Sequence, residues 1–421
     1  MHHIEAYVRQ AMESELYPKK YEVIGKSGHQ WKIRDPINET VLEVTNFCSN
    51  DVLGLSQDPE VKTATITAVE AYGAGNSSCT MYCGRISPHV ELEKTISAFK
   101  KIPYTHTFLN AWMALQAFTD TYSQLSMRLP DYTTTLNTVF LLDSDSHSCI
   151  NAAAMNSKHG IAGQLLRNRN HTVNVKRYKH NDMKSLASKM KQLAKPDCNV
   201  VVMTDSVFSM SGNICNLPGV LEILVNYPGT ALLCDEAHAS GAIGLHGGGI
   251  YDYYNIDPAS VCQLGLHPVV LTTFSKFAGS IGAAISSFSK DLITLLDAAR
   301  TSCGTASLGA PQAAAAQKCI QILQTHPELV SKLHSNTAYL RKELSERGFQ
   351  VLGETHILAV KTDVFPEKFT EHLIHQYNVW VTPVWFVAKP CLRIMVNAAL
   401  TVPDMDRLVD AMTKTRSFFS S

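Results

Sequence analysis

Four short apolar runs, each closing on polar groups, constrain this chain more than any other feature. They are TVFLLDSD (138–145), NVVVMTDS (199–206), TALLCDEAH (230–238) and HPVVLTTFSK (267–276). Each carries three to five consecutive apolar or β-branched residues. Unbroken apolar runs suit strands covered on both faces, as in a parallel sheet, rather than strands with one wet face. Stretches of helical pattern, such as HVELEKTISAFKK (89–101), alternate with the runs. Between about residue 60 and residue 300 the pattern therefore predicts an α/β domain wound around a mostly parallel sheet.

Outside that region the character changes. In the first 45 or so residues, Ile4, Val8, Ala11 and Met12 recur at helical spacing, and Pro18 ends the pattern. VLEVTNFCSN (41–50) reads as a short strand and turn. After about 300, Val330, Leu333, Leu340 and Leu344 line one face of a helix over 326–349, with Gly348 suited to its C-terminal cap. NVWVTPVWFV (378–387) and CLRIMVNA (391–398) read as strands. The expected division is an N-terminal arm with a short strand (1–50), a large domain (51–300) and a smaller α+β C-terminal domain (301–421).

Composition removes several classes of function. With 45% hydrophobic and 18% charged residues over 421 positions, a sizeable core forms and wholesale disorder is excluded. Lys+Arg and Asp+Glu both total 37, and no long basic stripe appears, which argues against nucleic acid or an anionic membrane surface as partner. No apolar run reaches the roughly 18 residues of a membrane span, and the first residues lack the apolar segment of a secretory signal. The 11 cysteines are scattered, without a CxxC pair. That pattern suits reduced thiols in a cytoplasmic protein and matches neither a disulfide framework nor a metal site.

Ligands of wound α/β sheets bind beyond the C-terminal ends of the strands. Here those ends carry Asp143, Ser146 and His147; Asp205 and Ser209; Asp235 and His238; and Thr273 and Lys276. Lys276, followed by the small residues of FAGSIGAA, is placed to form a Schiff base with an aldehyde or ketone, or is simply a solvated lysine. Asp235 at the end of a buried strand needs a cationic partner, of which a pyridinium nitrogen is one, or else caps the next helix. His238, three residues on, is placed to bond a phenolate oxygen of the same ring. His147 either stacks on a flat ring or satisfies a loop. The letters DEAH also spell a helicase box, but that reading needs a GxxxxGK[ST] loop after a strand. The GKS at Gly25-Lys26-Ser27 has Lys20 where the first glycine belongs. Gly73-Ala74-Gly75 lacks the third glycine of a dinucleotide fingerprint and reads as a turn. Arg393 clamps a carboxylate or makes a structural ion pair.

Eight stretches in order carry a resemblance. They are NDVLGL (50–55), HVELEKTISAF (89–99), DSDSHSCINAA (143–153), KHND (179–182), DSVFSMSGNICNLPGV (205–220), DEAHASGAIGLHGGG (235–249), TFSKFAGSIGAA (273–284) and LRIMVNAALT (392–401). With the lysine 41 residues after the aspartate, they resemble the α-oxoamine synthases, fold-type I enzymes dependent on pyridoxal 5'-phosphate (PLP). The resemblance implies an acyltransferase that condenses an amino acid with an acyl thioester, on CoA or a carrier, with decarboxylation to an α-aminoketone. A Cα–Cβ lyase or aldolase-type enzyme is the alternative, and a non-catalytic partner subunit a minor one.

The same resemblance assigns roles. Lys276 holds PLP covalently and later moves the Cα proton, Asp235 pairs with the ring nitrogen, and His147 stacks on the ring. His238 and Ser209 bond the ring hydroxyl. Thr273 and the backbone amides of Ala111 and Trp112 hold the phosphate, and Thr305 reaches the phosphate in the partner of a homodimer with shared sites. Arg393 and Asn50 hold the amino-acid carboxylate. The chain departs from the family pattern at Val52 for a tyrosine, Thr80 for an arginine, Asn110-Ala111-Trp112 for Ser-Gly-aromatic, Gly248 for an arginine and Leu400 for a histidine. The departures cluster where substrate is expected, which points to a non-standard amino acid or acyl donor.

Overall fold

A computed structural model describes residues 3–7, 20–124, 137–159, 172–384 and 390–420. The chain forms two compact units. One comprises Asn50–Ser209 and Asn213–Ser331; the other comprises the residues up to Ser49, Met210–Gly212 and Lys332 onward.

The second of these units begins with strands β1 (Glu22–Ser27), β2 (Gln30–Arg34) and β3 (Val41–Asn46). The β1–β2 hairpin turns at Gly28 and is not apparent in the sequence. Its first strand is almost wholly exposed and its register slips between Val23 and Gly25, so no regular alternation marks it. The expected strand at 41–50 is β3. Of the expected N-terminal helix, residues 3–7 are helical, whereas Val8, Ala11, Met12 and Pro18 lie outside the described residues.

The larger unit holds seven strands: β4 (Tyr104–Phe108), β5 (Asn137–Asp143), β6 (Val173–Tyr178), β7 (Cys198–Asp205), β8 (Ala231–Asp235), β9 (His267–Thr273) and β10 (Ala283–Ser287). Their order across the sheet is β4-β10-β9-β8-β7-β5-β6. Strands β5 to β9 pair in parallel, and β10 runs antiparallel to both neighbours. The four apolar runs are β5, β7, β8 and β9. Leu141, Val202, Leu233 and Leu271 along them are fully buried, each contributing about 1.5–3 kcal/mol. On one face the helices Ala111–Ser123 and Ser148–His159 bury Phe118 and Ile150 against Phe140 and Met203.

Helix Pro59–Tyr72 illustrates the local logic. Asp58 caps it, accepting from the Glu60 and Val61 amides; Pro59 starts it; and Gly73, at φ 82, stops it.

In the other unit the remaining strands are β11 (Val351–Leu352), β12 (Ile357–Lys361), β13 (Val379–Trp380), β14 (Thr382–Val384) and β15 (Cys391–Met395). β13 joins β3 in parallel, and the others form the antiparallel sheet β11-β12-β15-β14. Helix Glu328–Glu346 occupies the expected 326–349, and beyond it the Phe349 amide bonds the Leu344 carbonyl with Gly348 at φ 78. The end of the expected strand at 378–387 falls outside the described residues. Among the described residues, no helix is long and apolar enough to cross a membrane.

Candidate active site

Parallel pairing brings the C-terminal ends of β5, β7, β8 and β9 to one edge of the sheet. Asp235 closes β8, and its register partner on β7 is Asp205. Both carboxylates are buried. The Ala237 amide donates to Asp235 Oδ1 (2.9 Å) and the His147 amide to Asp205 Oδ1 (3.1 Å). Burial pushes the Asp205 carboxyl well above the usual range, and the neighbouring Asp235 charge pushes it further. Burial also raises Asp235, against the opposing pull of the Lys276 ammonium. Two buried acids side by side are costly unless a cation joins them.

Lys276 follows β9 in a tight turn. The Gly279 amide donates to the Lys276 carbonyl (2.9 Å), and the Ser280 amide to the Phe274 carbonyl (2.9 Å). Gly279 sits at φ 53, with Ser56 so close that a Cβ would lie 2.7 Å from its amide nitrogen. No other residue type fits there without moving a neighbour. Thr273, just before the turn, donates to the Gly282 carbonyl (3.2 Å) and lies 3.1 Å from the Ser275 hydroxyl.

These groups line a cavity of about 250 Å³. His147, Cys149, Asp205, Asp235, His238, Thr273, Ser275, Lys276, Asn110, Ala111 and Trp112 all face it. The last three open helix Ala111–Ser123, where the Asn110 side chain accepts from the Met113 amide. That leaves the amides of Ala111 and Trp112 in the first turn, where an anion is favoured by unpaired N–H groups and the helix dipole. The cavity thus has an anion-binding end, buried carboxylates and an amine, which suit a planar, phosphorylated, aldehyde-bearing ring.

Of the eleven residues proposed from sequence, seven line this cavity: Lys276, Asp235, His147, His238, Thr273, Ala111 and Trp112. Ser209, Asn50 and Thr305 belong to the same unit but are not among the lining residues. Arg393 lies half-buried on β15 in the other unit, its guanidinium lowered to about 10 by desolvation and partly restored by Cys48. Sequence reasoning noted Asp205 only as a strand end, and it missed Cys149 as a cavity residue. The polar close of the NVVVMTDS run was the available signal for Asp205; its pairing with Asp235 is not written in the sequence.

The loops are braced from outside the cavity. Asp143 at the end of β5 accepts from the amides of Asp145 (2.9 Å) and Asn181 (2.9 Å) and bonds His180 Nδ1 (3.0 Å). Asn181 in turn donates to the Ile214 carbonyl (2.8 Å) and accepts from the Asn216 amide (3.0 Å). The KHND stretch therefore joins the loops after β5 and β7. Asp143, Asp145 and His180 also hold their ligand atoms close together, yet these bonds already occupy both oxygens of Asp143.

A larger cavity of about 660 Å³ in the same unit is lined in part by Lys100, Glu236, Tyr251 and Asp252. Its buried cation, Lys100, is committed to Glu236, to the Ser240 hydroxyl (2.6 Å) and to the Gly248 carbonyl (2.9 Å). Gly248 is the departure from the family's arginine, and a Cβ there would meet Asp252 Cβ at 2.9 Å. The other departures are accommodated as well. Val52 and Leu400 are buried, the Leu400 carbonyl accepts from Asn336 (3.0 Å), and Thr80 donates to Asp297 (3.1 Å).

Comparison with known proteins adds an independent line. The family described as Aminotransferase class I and II matches residues 165–412. An 8-amino-7-oxononanoate synthase of Petrotoga mobilis is 30% identical over 380 residues, covering 88% of each chain. A serine palmitoyltransferase of Bacteroides ovatus is 28% identical over 413 residues, covering 96% of this chain and 94% of the relative. Among solved structures, a serine palmitoyltransferase from S. paucimobilis bound to PLP and myriocin superposes with a TM-score of 0.84 at 21% identity, covering 99% of this chain and 97% of that one. An 8-amino-7-oxononanoate synthase from Francisella tularensis superposes with a TM-score of 0.70 at 18% identity, covering 90% and 99%. At these identities the structural likeness speaks for the fold-type I architecture alone.

Proposed function

The chain belongs to the aminotransferase class I and II family, in its α-oxoamine synthase branch, and from that premise we propose that it is a PLP-dependent acyltransferase. It condenses an amino acid with an acyl thioester, releases CO2 and yields an α-aminoketone. The observation that carries this reading is the cavity itself: an amine, two buried carboxylates and a helix N-terminus meet around a space sized for one ring.

When bound, the cofactor supplies an electron sink for the negative charge that develops at the amino acid's Cα. The rest is the work of this chain's side chains. The Lys276 amine would hold the cofactor and would serve as the proton carrier at the amino acid's Cα. Asp235, raised by burial, would be held as a carboxylate by a cationic ring nitrogen and would in turn favour its protonated form. His147, which lines the cavity, would stack on the ring. His238 and Ser209 are assigned to the ring hydroxyl. Thr273 and the Ala111 and Trp112 amides take the phosphate, because a helix N-terminus favours an anion.

Arg393 and Asn50 are assigned to the substrate carboxylate. A half-buried, partly desolvated guanidinium suits that task, since its fork matches a carboxylate and desolvation strengthens the attraction. The reading also includes a homodimer, in which Thr305 serves the partner's phosphate site. A cytoplasmic setting accords with eleven unbridged cysteines.

The test is direct. Purified protein incubated with PLP should acquire a visible absorption band, and borohydride should fix the cofactor mass on Lys276. A panel of amino acids with and without acyl-CoA, followed by CO2 release and product mass, should show thioester-dependent decarboxylation. CO2 release independent of thioester would move the protein to another PLP reaction. No cofactor on Lys276 would remove the reading altogether.

A further inference from the structure

His147 is followed at once by helix Ser148–His159, and its carbonyl accepts from the Ile150 amide (3.0 Å). The ring turns back over the first turn of this helix. Its Nδ1 lies 3.3 Å from the backbone nitrogen of Cys149 and 2.8 Å from the Cys149 sulfur. A backbone N–H can only donate, so Nδ1 is an acceptor and carries no proton. The ring hydrogen therefore sits on Nε2, and the thiol must also donate to Nδ1. A thiol donates only while protonated. Burial pushes the Cys149 thiol up to about 12, with the Asp235 and Asp205 charges adding to it, so S–H persists across the physiological range. At the backbone, the His147 amide is tied to Asp205 Oδ1 (3.1 Å). The residue is thus fixed at both ends, and His147 and Cys149 both line the cavity.

We propose that Cys149 is a positioning residue. Its thiol, with its own amide, locks His147 as the neutral Nε2–H tautomer and sets the plane of the imidazole at the cofactor site. The proposal rests on the cofactor reading of this cavity for its consequence, though not for the pairing itself. The two donors do different jobs. The amide fixes which nitrogen accepts, and the side chain resists rotation of the ring away from that amide. A serine hydroxyl at the same position would do the same, whereas alanine removes the side-chain donor and keeps the longer amide contact.

The test uses full-length protein labelled with 15N-histidine and observes tautomers through ring nitrogen–proton couplings, with His147→Asn assigning the signal. Wild-type apoprotein should show an unprotonated Nδ1 and a protonated Nε2 at His147. Cys149→Ser should preserve that pattern, and Cys149→Ala should shift it toward a mixture of tautomers. In the PLP-loaded enzyme, Cys149→Ala should still be labelled on Lys276 by borohydride, while kcat falls about fivefold with little change in the amino-acid KM, the scale of one hydrogen bond. Cys149→Ser should stay within about twofold of wild type.

A protonated Nδ1 in wild type would overturn the proposal without any variant. So would a Cys149→Ala protein with the wild-type tautomer and kcat, or a Cys149→Ser protein as disturbed as Cys149→Ala. If the tautomer pattern holds but wild-type protein never captures PLP at Lys276, the pairing stands. The cofactor reading then fails and takes the positioning role with it.

Discussion

Lys100→Met isolates the strongest electrostatic commitment described outside the cavity. The Lys100 and Glu236 side chains are 2% and 1% exposed, so the pair is screened by almost no water. Methionine matches the lysine stem in length and volume, which keeps the cavity penalty small. What remains is a buried carboxylate without its cation. Losing one partner of such a pair costs about 3–5 kcal/mol. Glu236 keeps two donors, the Ile250 amide (2.8 Å) and the Ser240 hydroxyl (3.2 Å), which places this case at the lower end. The expected loss is about 3 kcal/mol, read as a lower urea midpoint by tryptophan fluorescence. The double variant Lys100→Met, Glu236→Gln removes the charge that was stranded and should regain more than half of the loss. The reasoning is refuted if Lys100→Met loses less than about 1 kcal/mol, the range of an exposed pair. It is equally refuted if the double variant is no more stable than the single one.

Asp205→Asn should stabilise the apoprotein increasingly as pH rises. Its folded carboxyl is raised above the unfolded value of about 3.9, so above that pH the unfolded state holds fewer protons and stability falls with pH. The amide removes that loss while still accepting from the His147 N–H, and calorimetry of the apoprotein at several pH values should show a flatter profile; an unchanged slope counts against it. For His180, burial pulls the imidazole down but the bond and charge of Asp143 outweigh it, leaving it raised. Its stabilising contribution is full below about pH 6.5 and is lost as pH climbs through the raised value, so His180→Asn should flatten that portion of the profile. Gly279→Ala combines a positive φ with a Cβ 2.7 Å from the Ser56 amide, and should cost about 1–3 kcal/mol by urea denaturation and slow borohydride-trapped capture of PLP at Lys276. Normal stability together with a normal capture rate would contradict it.

The strands were legible because their signal is local. A buried parallel strand needs an unbroken apolar run, and TALLCDEAH carries one that ends abruptly on charge. The β1–β2 hairpin was not legible, because exposed strands such as EVIGKS carry no hydrophobic period to read. The candidate site divides in the same way. Lys276, Asp235, His147 and His238 follow strand ends in the sequence and so could be named from it. Cys149 could not, because nothing in the letters SCINAA distinguishes a structural thiol from one turned back onto the preceding histidine.

By itself the sequence determined that this chain builds strands of the parallel kind, which polar groups close them, and which family's order of motifs it shares. Only the tertiary structure decided that β8 lies between β7 and β9, and so that Asp205 stands beside Asp235. It alone set Lys100 against Glu236, 136 positions away. Apolar periodicity and turn chemistry act over a few residues and are written along the chain. Strand order and the pairing of buried charges arise when distant segments are desolvated together, and no local pattern records which segments those will be.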